Sequence, residues 1–280
     1  MKKIFCLILA SIIAILLCTG CTLTSDKEDE KETGDLENVS DITKNILEYL
    51  DCEYSYIGSG KDIKSLTKAY YTALEKGKNE GFTPVIVNCD RILAEAIAVA
   101  IGAEDGNLTA EAGKAYREAF FAKELPDAGD ILERRKAEFA YLLDAFEGFD
   151  DMPMMPDAGM HDEETVFGRP DMEEAVIVHI PTAEPWKVFA WLPFGGFNDC
   201  PTNEELSSLV KLWHEEFGAY PAHISYDALE FHVERPVEGD KLSSVTADHF
   251  VVCPTIAEYV PPSMYAKTID GDDMWSFWWD

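Results

Sequence analysis

The run Thr83-Pro-Val-Ile-Val-Asn-Cys89 is apolar without alternation, as expected of a short strand covered on both faces. A second run of strand length, Ala175-Val-Ile-Val-His-Ile180, ends at Pro181. Around the first run, the spacing of apolar residues predicts helices. Ser40 or Asp41 can cap one that buries Ile42, Ile46 and Leu50. A second, from about Asp62 to Lys76, buries Ile63, Leu66, Tyr70 and Leu74 and is ended by Gly77 and Gly81. Asp90 can cap a third, through Ala100 and Ile101. A strand reached from one helix and left into another requires mixed layers. The expected fold class is therefore α+β: a mixed sheet with flanking helices, in a single compact body or two closely packed subdomains.

Residues 109–147 read as helix in two pieces, divided at Leu125-Pro-Asp-Ala-Gly129. Gly58-Ser-Gly-Lys61 is not a phosphate loop. Asp62 stands where a magnesium-binding Ser or Thr belongs, and Ser55 stands where the first glycine belongs. No cofactor is expected.

The strongest local signal lies downstream. Thr202 and Glu205 form a capping box ahead of a helix with Leu206, Leu209, Val210, Trp213 and Phe217 on one face and Gly218 at its end. Glu184–Trp191 suits either a short helix or a strand. Ala222–Tyr226 and Leu229–Val233 alternate like two strands or one bent strand. Residues 244–259 are expected to be helical on one side of Cys253-Pro254. The terminal Trp275-Ser-Phe-Trp-Trp-Asp280 is too aromatic to leave in water and should pack as an edge strand or a plug.

The N-terminus carries a different message. Lys2 and Lys3 precede the apolar run Ile4–Leu17, too short for a comfortable membrane span, which ends in Cys18-Thr-Gly-Cys21. Small residues before a cysteine resemble the bacterial lipoprotein signal, which implies cleavage before Cys21 and acylation of its thiol. The expected division is 1–20 signal peptide, 21–39 acidic tether, 40–150 helix-rich α/β part, 151–174 acidic Met-rich connector and 175–280 α+β domain. The membrane, reached through lipidated Cys21 on the extracytoplasmic face, is the first expected partner. The net charge of −30, from 53 acidic and 23 basic residues, argues against nucleic acid, whose binding needs clustered cations.

Trp191-Leu-Pro-Phe-Gly-Gly-Phe-Asn-Asp-Cys-Pro201, Trp213 with Phe217-Gly-Ala-Tyr-Pro-Ala222, Asp227-Ala-Leu-Glu230 and the terminal Trp275–Asp280 occur in an order that resembles the bacterial domain of unknown function 4253. Phe197 stands where Trp is frequent in that family, and His223 where an aliphatic residue is usual. The resemblance implies an α+β domain from about Ala175 to Asp280 and no mechanism.

The sequence carries three functional readings. The first is a non-catalytic module that binds a protein or envelope polymer near the Gly195-Gly196 turn, through Asn198, Asp199, Trp278 and Trp279. The second is an envelope hydrolase, with Cys200 as nucleophile ahead of a helix and His214 and Asp227 as partners. The third is metal handling, by Met152, Met154, Met155, Met160 and His161 in the connector. His223, Ser225, Glu230 and His232 would meet if their strands form a hairpin, but the tight pairs typical of zinc sites are missing, so no metal is expected. Cys52, Cys89, Cys200 and Cys253 allow one disulfide in an oxidising compartment, with no pairing favoured by spacing.

Overall fold

A computed structural model describes residues 39–58, 62–103, 106–144, 167–168 and 172–280. The segment expected to be a signal peptide, Cys21, nearly all of the expected tether and almost all of the Met-rich connector lie outside the described residues.

Capped helices feed the first strands. Ser40 caps α1 (Asp41–Leu50) by accepting from the amide of Thr43, and Ile46, Tyr49 and Leu50 are buried. β1 (Glu53–Gly58) was not anticipated; its Tyr54/Tyr56 alternation was the only signal available. α2 (Ile63–Glu80) begins at Asp62 as expected but runs through Gly77 to a left-handed cap at Gly81. Gly77 does not end the helix. A side chain there would sit 2.4 Å from the carbonyl oxygen of Phe82, so it is a point of close approach. β2 (Thr83–Asn88) is buried throughout and leads, past the cap Asp90, to α3 (Arg91–Ile101). α4 (Ala110–Phe121), α5 (Ala128–Glu138) and the short α6 (Ala140–Leu143) follow, broken where Leu125-Pro-Asp was expected to break them.

The second half starts with β3 (Ala175–Ile180), then a 3-10 helix over Pro185–Ala190, which settles the ambiguity of that stretch. α7 (Asn203–Phe217) has the complete capping box of Thr202 and Glu205 and the stop at Gly218. β4 (Ala219–Ile224) and β5 (Ala228–Val233) form an antiparallel hairpin. α8 (Leu242–Val252), α9 (Pro254–Tyr259) and an unforeseen α10 (Pro262–Ile269) precede β6 (Met274–Trp278), an edge strand on β5.

One six-stranded sheet results, in the order β1-β3-β2-β4-β5-β6. β2 and β4 are its parallel pair; every other pairing is antiparallel. β3 is inserted between β1 and β2, so the halves before and after the connector share one sheet. Glu174, just ahead of β3, accepts from the amide (3.0 Å) and hydroxyl (2.8 Å) of Ser40 and from the hydroxyl of Thr43, tying β3 to α1.

The main core lies on one face. There Val85, Val87, Val176 and Val178 meet α1, α3 and α7, and Phe231, Trp275 and Phe277 meet Trp213. Trp213 stacks on Phe277 at 5.4 Å and meets Trp275 edge-on at 5.8 Å. Leu66, Tyr70 and Leu74 of α2 cover the other face over Ile86, Ile177 and Ala222, together with Phe167 and Met172. The terminal aromatics thus form both an edge strand and a plug.

Candidate functional site

The chain enters α7 through a turn with four positive φ angles in five positions: Gly195 (99°), Gly196 (78°), Asn198 (44°) and Asp199 (61°). The amide of Cys200 donates to the carbonyl of Phe197 at 2.7 Å, closing a tight turn with Asn198 and Asp199 at its two central places. Both central residues of such a primed turn need positive φ, and Asn and Asp are among the few side chains that accept it. The Gly196 amide returns to the Pro201 carbonyl at 3.0 Å. A side chain on Gly195 would sit 2.0 Å from that carbonyl oxygen, so glycine is required there.

Two side chains clamp this turn, the half-buried Asn203 and the buried Arg135. Asn203, the first residue of α7, accepts from the amide of Phe194 at 2.9 Å. Its amide group donates to the carbonyl of Phe189 (2.9 Å) and the hydroxyl of Tyr116 (3.0 Å). From the other side, Arg135 of α5 donates to the carbonyls of Val251, Val252 and Asp199. Its guanidinium stacks over Phe139 at 5.0 Å.

Beside the turn lies a cleft of about 290 Å³. Its apolar wall is Leu93, Ala96 and Ala100 of α3; its aromatic groups are Phe194, Phe197, Tyr116 and Tyr226. At its rim Lys123 pairs with Glu204. Burial pushes the Glu204 carboxyl up, but the Lys123 ammonium outweighs this and holds it below the usual carboxylate range. Tyr116 is raised by burial and by Glu204. Two of the cleft's lining residues, Leu93 and Tyr226, follow within a few residues of the carboxyl ends of β2 and β4, the parallel pair. Its α3 wall continues outward as an apolar surface, with Val99 82% and Ile92 48% exposed.

Cys200 is buried, and burial, with Cys253 nearby, pushes its thiol well above the ordinary value despite the opposing Arg135. His214 is near the far end of α7, where its Nδ1 meets the carbonyl of Ala219 at 3.2 Å beside Trp186 and Tyr220. Twelve helical residues from the cap to His214 span roughly 18 Å, so Cys200 and His214 do not meet. Asp227 accepts from the Ser225 hydroxyl at 2.8 Å in the β4–β5 turn. That turn is at the opposite end of β4 from Ala219 and His214.

Asn198 and Asp199 are exposed on the turn. Trp278 is half-buried, 6.3 Å from Tyr259. Trp279 is core: it is 2% exposed, packs 5.5 Å from Phe194, and donates from its indole to the Val252 carbonyl at 3.3 Å. Aromatic neighbours bury it, so it offers no binding surface.

Among the suggested metal ligands, His223 Nδ1 lies 3.2 Å from Glu230 Oε2, off the hydrogen-bonding direction, and Glu230 accepts from the Gly168 amide at 2.6 Å. Ser225 instead bonds Asp227, and His232 lies 3.9 Å from Asp273. Among the described residues no group of three or more His, Cys, Asp or Glu could hold a metal ion. The connector's Met152–His161 and Cys21, the expected site of acylation, lie outside the described residues. Among the described residues no helix is long and apolar enough to cross a membrane.

The cleft residues Tyr116, Lys123, Asn203 and Tyr226 were not found from sequence. One clue was present: α3, Arg91-Ile-Leu-Ala-Glu-Ala-Ile-Ala-Val-Ala-Ile101, is apolar nearly all round, more than one buried face needs.

A family model described as Domain of unknown function (DUF4253) matches residues 176–280. The match begins at the second residue of β3 and takes in the turn, α7, the β4–β5 hairpin and β6. No curated protein and no solved structure matches the chain.

Proposed function

We propose that the protein is a lipid-anchored, extracytoplasmic binding module, held to the membrane through Cys21, whose ligand site is the cleft between α3, the Phe194–Phe197 turn and Tyr226. The observation that carries this reading is the cleft's composition. Four aromatic rings and a small-residue helix face surround a few fixed polar groups, the usual make-up of a site that takes a neutral or weakly polar ligand. Clamping by Asn203 and Arg135 supports it further, because a wall held in place before binding costs less to order on binding. The ligand class is a polypeptide segment or an envelope polymer with apolar groups to seat against Phe197 and Ala96. Nucleic acid does not suit the strongly acidic chain.

The hydrolase reading through Cys200 finds no support: the thiol is buried and protonated, and His214 is elsewhere. To test the proposal, displayed peptide libraries and soluble envelope glycans are panned against the full chain and against Ala96→Trp, which fills the cleft from α3. Ligands retained by the wild type and lost by the variant, with unchanged stability, would support the cleft. Ligands that bind both equally would place recognition elsewhere. Labelled palmitate that follows the wild type and is lost in Cys21→Ala tests the anchor.

A further inference from the structure

Cys200 and Cys253 are far apart in sequence, yet their surroundings match. Each is followed by proline, and each stands where the chain turns into a helix, Cys200 ahead of the α7 cap and Cys253 as the cap residue of α9. One atom joins the two places. Arg135 Nη2 donates to the carbonyl of Asp199 (2.5 Å) and to that of Val252 (3.2 Å), the residues just before the two cysteines. Two acceptors that share one nitrogen lie a few ångströms apart, the scale of the roughly 4.4–6.8 Å between Cα atoms that a disulfide needs. Both cysteines belong to the main core, and the charge on one thiol is felt by the other. Trp279 reinforces the juxtaposition by touching Phe194 and the Val252 carbonyl together. Cys52 and Cys89 sit apart from this region, with thiols that face the Leu50 carbonyl at the end of α1 and the Val87 carbonyl in β2; the Cys253 thiol donates to the Trp278 carbonyl at 2.9 Å, next to Trp279, and must turn from it to meet Cys200.

We propose that Cys200 and Cys253, free thiols in this structure, are a dithiol pair that closes to a disulfide, joining the turn ahead of α7 to the start of α9. The oxidant is a disulfide, carried by a thiol–disulfide exchange protein or by glutathione. One cysteine thiolate attacks it, forming a mixed disulfide and releasing one oxidant thiol. The other cysteine then attacks the protein sulfur of the mixed disulfide, forming the Sγ–Sγ bond and releasing the second oxidant thiol. The oxidant gains two electrons, and the two cysteine protons end on its thiols. Cys200 is 6% exposed and Cys253 0%, and burial raises both thiols above their ordinary value, so attack on the folded protein is slow and the bond forms as the chain folds. The bond would stiffen one wall of the cleft, but the inference does not depend on what the cleft binds.

The test uses the full chain, reduced and unfolded, then refolded in a mixture of oxidised and reduced glutathione. Free thiols are alkylated under denaturing conditions, and the peptides are mapped by mass. The expected product is a cross-linked pair containing Cys200 and Cys253, with Cys52 and Cys89 alkylated. Reducing the bond should lower Tm by roughly 8–16 °C, as for a loop of about fifty residues in a domain of this size. Cys200→Ser should leave Cys253 open to alkylation, and Cys253→Ser should do the same for Cys200. The wild-type map decides even where a variant does not fold. Both cysteines alkylated in the refolded wild type, or either one joined to Cys52 or Cys89, overturns the proposal.

Discussion

The guanidinium of Arg135 donates to the backbone carbonyl of Asp199, reaching from α5 to hold the turn that leads into α7. Arg135 is 4% exposed, and the acceptors it satisfies are main-chain carbonyls. Burying a cation this way is costly unless its donors are used, and here they bind three carbonyls on two separate segments. Arg135→Met leaves those carbonyls without that donor. It should lower stability by about 3 kcal/mol, with Arg135→Lys in between because a lysine lacks the planar fork. Urea unfolding monitored by tryptophan fluorescence measures it. A loss under about 1 kcal/mol would mean that the turn holds itself.

Asn198 and Asp199 owe their identity to backbone conformation. Replacing either by Gly, which adopts positive φ freely, should change stability by no more than about 0.5 kcal/mol. Asn198→Val should cost about 1–2 kcal/mol, because a β-branched residue resists that region. Thermal melts of the three variants test this. A glycine variant that unfolds would show that the side chains, and not their tolerance of the turn, are what the site needs.

His249 supplies a pH dependence. It is fully buried among Trp213, Trp275 and Phe277, its Nδ1 is 3.0 Å from the Tyr265 hydroxyl, and burial holds its pKa down at about 3 against an ordinary 6.5. The unfolded chain takes up this proton as pH falls through 6.5, while the folded chain refuses it until near 3. The contribution to stability is therefore full above pH 6.5 and lost progressively below it, at about 1.4 kcal/mol per pH unit. Between pH 7 and 4.5 the wild type should lose roughly 2–3 kcal/mol more than His249→Gln. Glu174, whose carboxyl the Ser40 and Thr43 donors hold down against burial, also loses stabilisation as pH falls, but it does so in both proteins and cancels. Parallel pH curves for the two proteins would remove His249 from the account.

The family match at 176–280 starts inside β3, whose two neighbours in the sheet, β1 and β2, lie before the connector. A fragment from Ala175 to Asp280 would expose the buried Val176, Val178 and Ile180 and unpair β4 on one side. It should not fold alone. Far-ultraviolet dichroism and amide dispersion on the isolated fragment check this; a cooperative melt would show that the matched segment is an independent domain.

Local signals in this chain were legible and long-range ones were not. The Thr202–Glu205 capping box, the caps Ser40 and Asp90, the unbroken apolar β2 and β3 and the aromatic end all state their surroundings within a few residues. β1 was missed because Glu53, Tyr54 and Ser55 lie on an edge strand, where burial leaves little pattern. The insertion of β3 between β1 and β2 depends on pairing across the connector, which no local spacing encodes. The same holds for the site. Cys200 and the Asn198-Asp199 pair stand in an unusual sequence, which the turn geometry accounts for. Trp279 looked like a surface aromatic because density of rings says nothing of which ones face inward. Tyr116 and Lys123 come from α4 and the turn that follows it, and Tyr226 from the β4–β5 turn, and only the fold brings them to one cleft.

The most direct measurement of the cleft reading is a nuclear magnetic resonance fragment screen on the isotope-labelled full chain, using small aromatic and aliphatic amides as probes. The account predicts that hits shift the resonances of Ala96, Ala100, Phe197 and Tyr226 together, and that Ala96→Trp abolishes those shifts while leaving the rest of the spectrum intact. Hits that gather elsewhere, or shifts that persist in Ala96→Trp, would contradict it.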